Sequence, residues 1–197
     1  YIADYVFDPM VSGIFAGDAK SLHLKSAFPQ IYQMEQEHGS LIKAMKEKYA
    51  SGEVKSPQLC SFRNGMHEFI KTLVEKYQDS IVFGKEVQSI MKDGDNFILQ
   101  TNDEKFTADR LYLCAPAYVS GELVKDFHIQ YAPLAVVGLV FPENVVNKKP
   151  QGFGYLIPTK EKNDVLGVLF ESNIFPEHAY NKQILMRVMI GGMNHPD

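Results

Sequence analysis

Six histidines, two cysteines and 24 acidic residues are the side chains with which this 197-residue chain could do chemistry. Their spacing offers none of the arrangements that chemistry needs. There is no nucleophile motif, no H-E-x-x-H, no phosphate-binding G-x-x-x-x-G-K, and no G-x-G-x-x-G followed by an acidic residue. No two histidines share the spacing a metal needs, and no carboxylate pair stands out in an apolar setting. Cys60 and Cys114 stand alone and far apart, which fits neither a disulfide framework nor a zinc site and points to a reducing, cytoplasmic compartment. No catalytic residue and no metal ligand is assigned. If the chain belongs to an enzyme, a cofactor carries the reaction and the protein supplies shape.

Residues that could shape a ligand are easier to find. The stretches Gln151–Pro158, Val165–Phe170 and Ile184–Gly192 are apolar, β-prone and interrupted by glycine. Short apolar runs bounded by turn signals read as buried strands. A glycine inside a strand marks a place where a ligand or another backbone comes close. Three such strands side by side would make a flat apolar wall with gaps, suited to a large flat ligand. An ordinary buried sheet is the competing reading. Ser61-Phe62-Arg63-Asn64-Gly65-Met66 precedes a helical stripe of Met66, Phe69, Ile70, Leu73, Val74 and Tyr77. Unpaired N–H groups at its start, with Arg63 beside them, could hold an anion, although Asn64 could equally be a helix cap. Ala115-Pro116-Ala117 is small enough for a backbone to lie against a cofactor.

The elements that must position these residues follow from periodicity. Pro29 can open a helix, and Ile31, Met34, His38, Leu41, Ile42, Met45 and Tyr49 fall on one stripe. The spacing predicts one long amphipathic helix over about 29–50, its stripe in the core, with His38 a hydrogen-bonded packing residue. Ser12-Gly13-Ile14-Phe15-Ala16-Gly17-Asp18 reads as a tight connection between helices. Ser56-Pro57 breaks the pattern and is the best boundary. From Ser80 the period becomes two, with strands expected at Ser80–Phe83, Val87–Lys92 and Asn96–Thr101. Asp93-Gly94 and Asn102-Asp103 are the turns. A further strand is expected at Arg110–Cys114, a helix at about 118–126, and a strong strand at Ala135–Phe141 that Pro142 stops.

An apolar content of 45% and a charged content of 22% are those of a globular chain able to bury a core. A net charge of −4 and the lack of a basic run exclude nucleic acid as a partner. The longest apolar run, Pro133 to Phe141, is too short to cross a bilayer, and no signal peptide is visible. The chain begins at Tyr1 and stops just after a strand, so a fragment of a longer polypeptide is expected. Pattern alone leads to a mixed α/β domain with an apolar sheet face.

In sequence order, several stretches resemble the oxygen-dependent protoporphyrinogen oxidases. They are Ser12–Asp18, Phe28-Pro29 with its glutamate-rich helix, Ser61–Met66, Gly84–Ile90 and Ala115–Ala117. The most family-specific pieces are Gln151–Pro158, Leu166–Ser172, Phe175–Glu177 and Met189–Gly192. The resemblance implies an α+β fold: a helical subdomain over 1–57, part of an FAD-binding domain with a β-meander over 58–122, and part of a mixed-sheet substrate domain over 123–197. It implies FAD as cofactor, with six electrons taken from a porphyrinogen and oxygen reduced to hydrogen peroxide. By resemblance Phe153, Gly154, Leu156, Leu169 and Met189 line the porphyrinogen cleft. Val87, Ala115, Pro116 and Gly65 lie along the cofactor, although the family carries two glycines where this chain has Asn64-Gly65. Neither the family's N-terminal dinucleotide-binding glycines nor the upstream arginine that pairs with a substrate propionate is in this chain, so the fragment alone is expected to be inactive. The resemblance further implies peripheral contact with a membrane and a homodimer. The alternatives are a coproporphyrinogen III oxidase of the same family, an amine-oxidase-like flavoprotein, and a non-catalytic porphyrin-binding module.

Overall fold

The structure is a computed structural model that describes residues 1–52, 58–125 and 127–195. The expected boundary at Ser56-Pro57 lies outside the described residues. Helices are α1 (Asp8–Phe15), α2 (Leu24–Ala27), α3 (Pro29–His38), α4 (Leu41–Ala50), α5 (His67–Tyr77), α6 (Ala117–Val124) and α7 (Glu171–Ile174). Strands are β1 (Val87–Asp93), β2 (Asn96–Thr101), β3 (Lys105–Ala108), β4 (Leu134–Pro142), β5 (Gly154–Leu156), β6 (Val165–Leu169) and β7 (Gln183–Gly191). The chain divides into two compact units, one of residues 1–68 with 132–197 and the other of residues 69–131.

The larger unit is built on a four-stranded sheet in the order β4-β7-β6-β5. The sheet expected as mixed is antiparallel at every described pairing, because β7 returns between β4 and β6. Its centre is buried: Leu166, Val168 and Ile184 form the core with Val11 and Ala16 of the α1 region. Burying side chains of this size contributes about 1.5–3 kcal/mol each. The three strands singled out from sequence do lie side by side, but β5 is only three residues long where Gln151–Pro158 was expected. Its edge is exposed, Tyr155 at 53% and Leu156 at 39%.

Helix α1 is fastened to this sheet by its ends. Asp8 Oδ2 accepts the Thr159 N–H at 2.8 Å, and Ala16 O accepts the Met193 N–H at 2.7 Å. Ser12 and Gly13, read as part of a connection, lie inside α1. A Cβ at Gly13 would come 2.5 Å from Leu156 Cδ2, so the small residues let the helix lie close over β5.

The single helix expected over 29–50 is two. Gly39 takes the left-handed conformation at φ 66° and donates to Glu35 O at 2.8 Å, which ends α3. Ser40 is extended and its Oγ accepts the Lys43 N–H, which starts α4. The chain therefore changes direction in the middle of the stripe. Ile42, Met45 and Tyr49 are exposed, and Ala44 is the residue α4 buries. His38 is hydrogen-bonded as expected, its Nδ1 standing 2.7 Å from Glu47 Oε2 and joining the two helices.

The smaller unit is a β1-β2-β3 meander with α6. Gly94, at φ 60°, makes the first turn. The second is held by Thr101, whose Oγ1 donates to Glu104 O at 2.9 Å and accepts the Glu104 N–H at 3.2 Å. Lys85 Nζ clamps the same turn at 2.5 Å from Asp103 and 2.6 Å from Glu104. These carboxylates hold the Lys85 ammonium above its ordinary pKa, and Lys85 holds Asp103 below the usual carboxylate value. The strands expected at Ser80–Phe83 and Arg110–Cys114 do not form. Both have β-prone residues but no described strand pairs with them, and a strand exists through its ladder. Strand β3, not foreseen, is a short alternating segment that gains its partner from β2.

Candidate functional site

One face of the large sheet can be read directly from its register. Gly154 pairs with Leu169, Leu169 with Arg187, and Arg187 with Gly138. Two residues along, Leu156 pairs with Gly167, Gly167 with Met189, and Met189 with Val136. Because side chains alternate along a strand, these two rows share a face. Gly154, Leu156, Leu169 and Met189 are therefore together on one side. Phe153 precedes β5, is 58% exposed, and carries the carbonyl that accepts the Phe170 N–H at 2.9 Å.

The glycines in these rows do different work. A Cβ at Gly154 would collide with the Val168 carbonyl oxygen and lie 3.0 Å from Leu169 Cα. One at Gly167 would come 2.7 Å from Tyr155 O and 2.8 Å from Leu156 Cδ2. Both are close approaches of the chain to itself, the backbone alternative of the two that the sequence left open. Gly138 differs: nothing lies within 4 Å of where its Cβ would be.

Gly138 opens onto a cavity of about 350 Å³, lined also by Val136, Leu185, Arg187, Glu171, His178, Arg63 and Gly65. Glu171 begins α7 directly after β6 and is only 4% exposed. A buried carboxylate must be paired, and this one is: Arg187 Nη2 stands 2.8 Å from Oε2 and His178 Nδ1 3.0 Å from Oε1. His178 Nε2 lies 3.2 Å from both Ser61 Oγ and Phe62 O. His178 thus bridges the Glu171 carboxylate and the Phe62 carbonyl. Ser172 ties α7 to β7 by accepting the Leu185 N–H at 3.3 Å. Periodicity did not find this cluster. An acidic residue directly after the apolar run Val165–Phe170, and a glycine inside the strand Ala135–Phe141, were the signals available.

The expected cofactor residues divide between the units. Gly65, at φ 85° with nothing within 4 Å of an added Cβ, lines the cavity just described. Just before α5 the Asn64 backbone N–H and side-chain amide both donate to the Glu68 carboxylate, at 3.4 and 3.2 Å. In the smaller unit, Ala115 and Pro116 line a wide hollow with Leu113, Tyr118, Phe127 and Tyr131. Ala115 O accepts from Ser120 Oγ at 3.0 Å, and Tyr131 O–H accepts the Ala117 N–H at 2.9 Å, which fixes that turn. Val87 begins β1 where the pairing with β2 shifts register, so its backbone departs from the regular ladder. Among the described residues no group of histidine, cysteine and acidic side chains could hold a metal, and no helix is long and apolar enough to cross a membrane.

The family described as flavin containing amine oxidoreductase matches residues 1–197, and the chain belongs to that family. FAD as cofactor follows from that membership. The chloroplastic protoporphyrinogen oxidase of Nicotiana tabacum is 23% identical over all of this chain and 42% of its own length. The coproporphyrinogen III oxidase of Bacillus subtilis is 27% identical over 96% of this chain and 44% of its own length. The crystal structure of a protein assigned as a protoporphyrinogen oxidase from Exiguobacterium superposes with a TM-score of 0.74 at 18% identity, covering 99% of this chain and 43% of that one. The likeness in fold is thus to the flavin oxidases. The chain spans less than half the length of these relatives.

Proposed function

We propose that the polypeptide carrying this chain oxidises a porphyrinogen to a porphyrin, with oxygen as the final acceptor. The observation that carries the reading is the sheet face bearing Gly154, Leu156, Leu169 and Met189, which continues across Arg187 to the bare Gly138. An apolar floor with a missing side chain suits a broad, flat macrocycle. The relatives matched over nearly the whole chain are named for porphyrinogen oxidation. Bound FAD would accept two electrons at a time from the methylene bridges, three rounds in all, each yielding one hydrogen peroxide from oxygen. Val87, Ala115 and Pro116 of the smaller unit would hold its nucleotide. Leu156, Leu169 and Met189 would hold the macrocycle and keep water from the reactive carbons.

A second reading, coproporphyrinogen rather than protoporphyrinogen as substrate, is favoured by two arginines at one cavity, because that substrate carries more carboxylates. Exposed Ile42, Met45 and Tyr49 on α4 support peripheral contact with a membrane, and vesicle flotation of the full-length protein tests it. The main test is porphyrin fluorescence appearing with hydrogen peroxide when purified full-length protein meets each porphyrinogen in air. Flavin-loaded protein that oxidises neither faster than buffer, yet oxidises a primary amine, would overturn the reading.

A further inference from the structure

The cavity beside Gly138 carries more positive than negative charge. Arg63 and Arg187 both line it, against the single carboxylate of Glu171. That carboxylate is already occupied on both oxygens, by Arg187 and by His178. The Arg63 side chain is exposed and lines the same cavity. Arg187 spends one Nη2 on Glu171, its side chain remains 47% exposed, and a guanidinium has five donors in a planar fork. The guanidinium is thus anchored through Nη2 by a buried carboxylate, which is itself oriented by His178, and Arg187 lines the cavity. A preorganised fork of this kind binds a carboxylate through two parallel hydrogen bonds.

We propose that Arg187, held in place by Glu171 and seconded by Arg63, receives a carboxylate arm of the ligand and sets the preference for tetrapyrrole acids over their uncharged esters. The inference rests on the porphyrinogen reading above. The ring would lie on the apolar rows, with Gly138 giving it access to the edge where Arg187 stands. Arg187 is a specificity residue; Glu171 and His178 are positioning residues.

The test uses the full-length protein and four probes: a porphyrinogen, its fully esterified form, and the corresponding porphyrin acid and ester for binding by fluorescence quenching. Expected for Arg187→Gln is a loss of about tenfold in the acid-over-ester preference, in binding and in kcat/KM alike, the size of one charge-assisted contact. Arg187→Lys should restore part of that preference, and Arg63→Gln should remove a smaller share. Thermal melting confirms that the compared variants are folded. Equal losses for acid and ester, or an unchanged preference, would overturn the anion site while leaving porphyrinogen oxidation standing. Acid-selective binding that Arg187→Gln abolishes, in a protein that oxidises no porphyrinogen, would support the anion site and remove the proposed function.

Discussion

Gly154 and Gly138 stand at opposite ends of one row of the large sheet, separated by Leu169 and Arg187. The same residue type does opposite work at the two ends. At Gly154 the backbone has φ 150° and the Val168 carbonyl fills the space a Cβ would need. At Gly138 the space is empty. One glycine lets two strands pack; the other keeps a surface bare. A glycine in a strand is therefore evidence of close approach only once its neighbour is known.

The comparison can be broken most forcefully at Gly154. Gly154→Ala should cost on the order of 3 kcal/mol or more, because the added carbon meets a main-chain carbonyl at a strained φ. Urea denaturation of the full-length protein reads this as a lower midpoint, and a midpoint within error of wild type would refute the packing role. Gly167→Ala should cost less, about 1–3 kcal/mol, since the flexible end of Leu156 can shift aside while Tyr155 O cannot. Gly138→Val has the reverse profile. Stability should hold or rise by about 0.5–1 kcal/mol, because an interior strand glycine is replaced by a β-former. Porphyrin binding should meanwhile weaken. Loss of stability with intact binding would assign Gly138 to packing as well.

The smallest effect is expected far from these rows, at the exposed clamp of Lys85 with Asp103 and Glu104. Asp103 titrates below its ordinary value of 3.8, so its contribution is present above that pH and fades as pH falls through the lowered value. Lys85 titrates above 10.5, so its contribution is present below that pH and fades as pH rises through the raised value. Lys85→Met should shift the Asp103 titration, followed by NMR, back toward 3.8. It should barely move the melting temperature at neutral pH, and added salt should shrink even that difference. A large neutral-pH destabilisation would mean that surface clamps rival backbone fit here.

Elements whose pattern is local were legible. Val87–Lys92, Asn96–Thr101, Ala135–Phe141 and Val165–Phe170 match β1, β2, β4 and β6 closely, and the helix near 118 is α6. Their alternation or apolar runs are short-range facts that the sheet then used. The break between α3 and α4 was also local, a left-handed glycine followed by a capping serine, but the apolar stripe running through it masked the signal. Ser80–Phe83 and Arg110–Cys114 failed for another reason. β-propensity is satisfied only by a partner strand, and no count of residues within the segment reveals whether one arrives.

The candidate site divides in the same way. That Gly154, Leu156, Leu169 and Met189 belong to glycine-bearing apolar strands was plain in the sequence. Their common face was not, because a shift of one residue in register would send every one of them to the other side. Glu171, His178 and Arg187 meet from separate segments, so only the tertiary structure could assemble them. By itself the sequence determined which segments are apolar and which are small. The fold alone decided which glycine faces a carbonyl and which faces open space, since pairing between distant strands sets those distances.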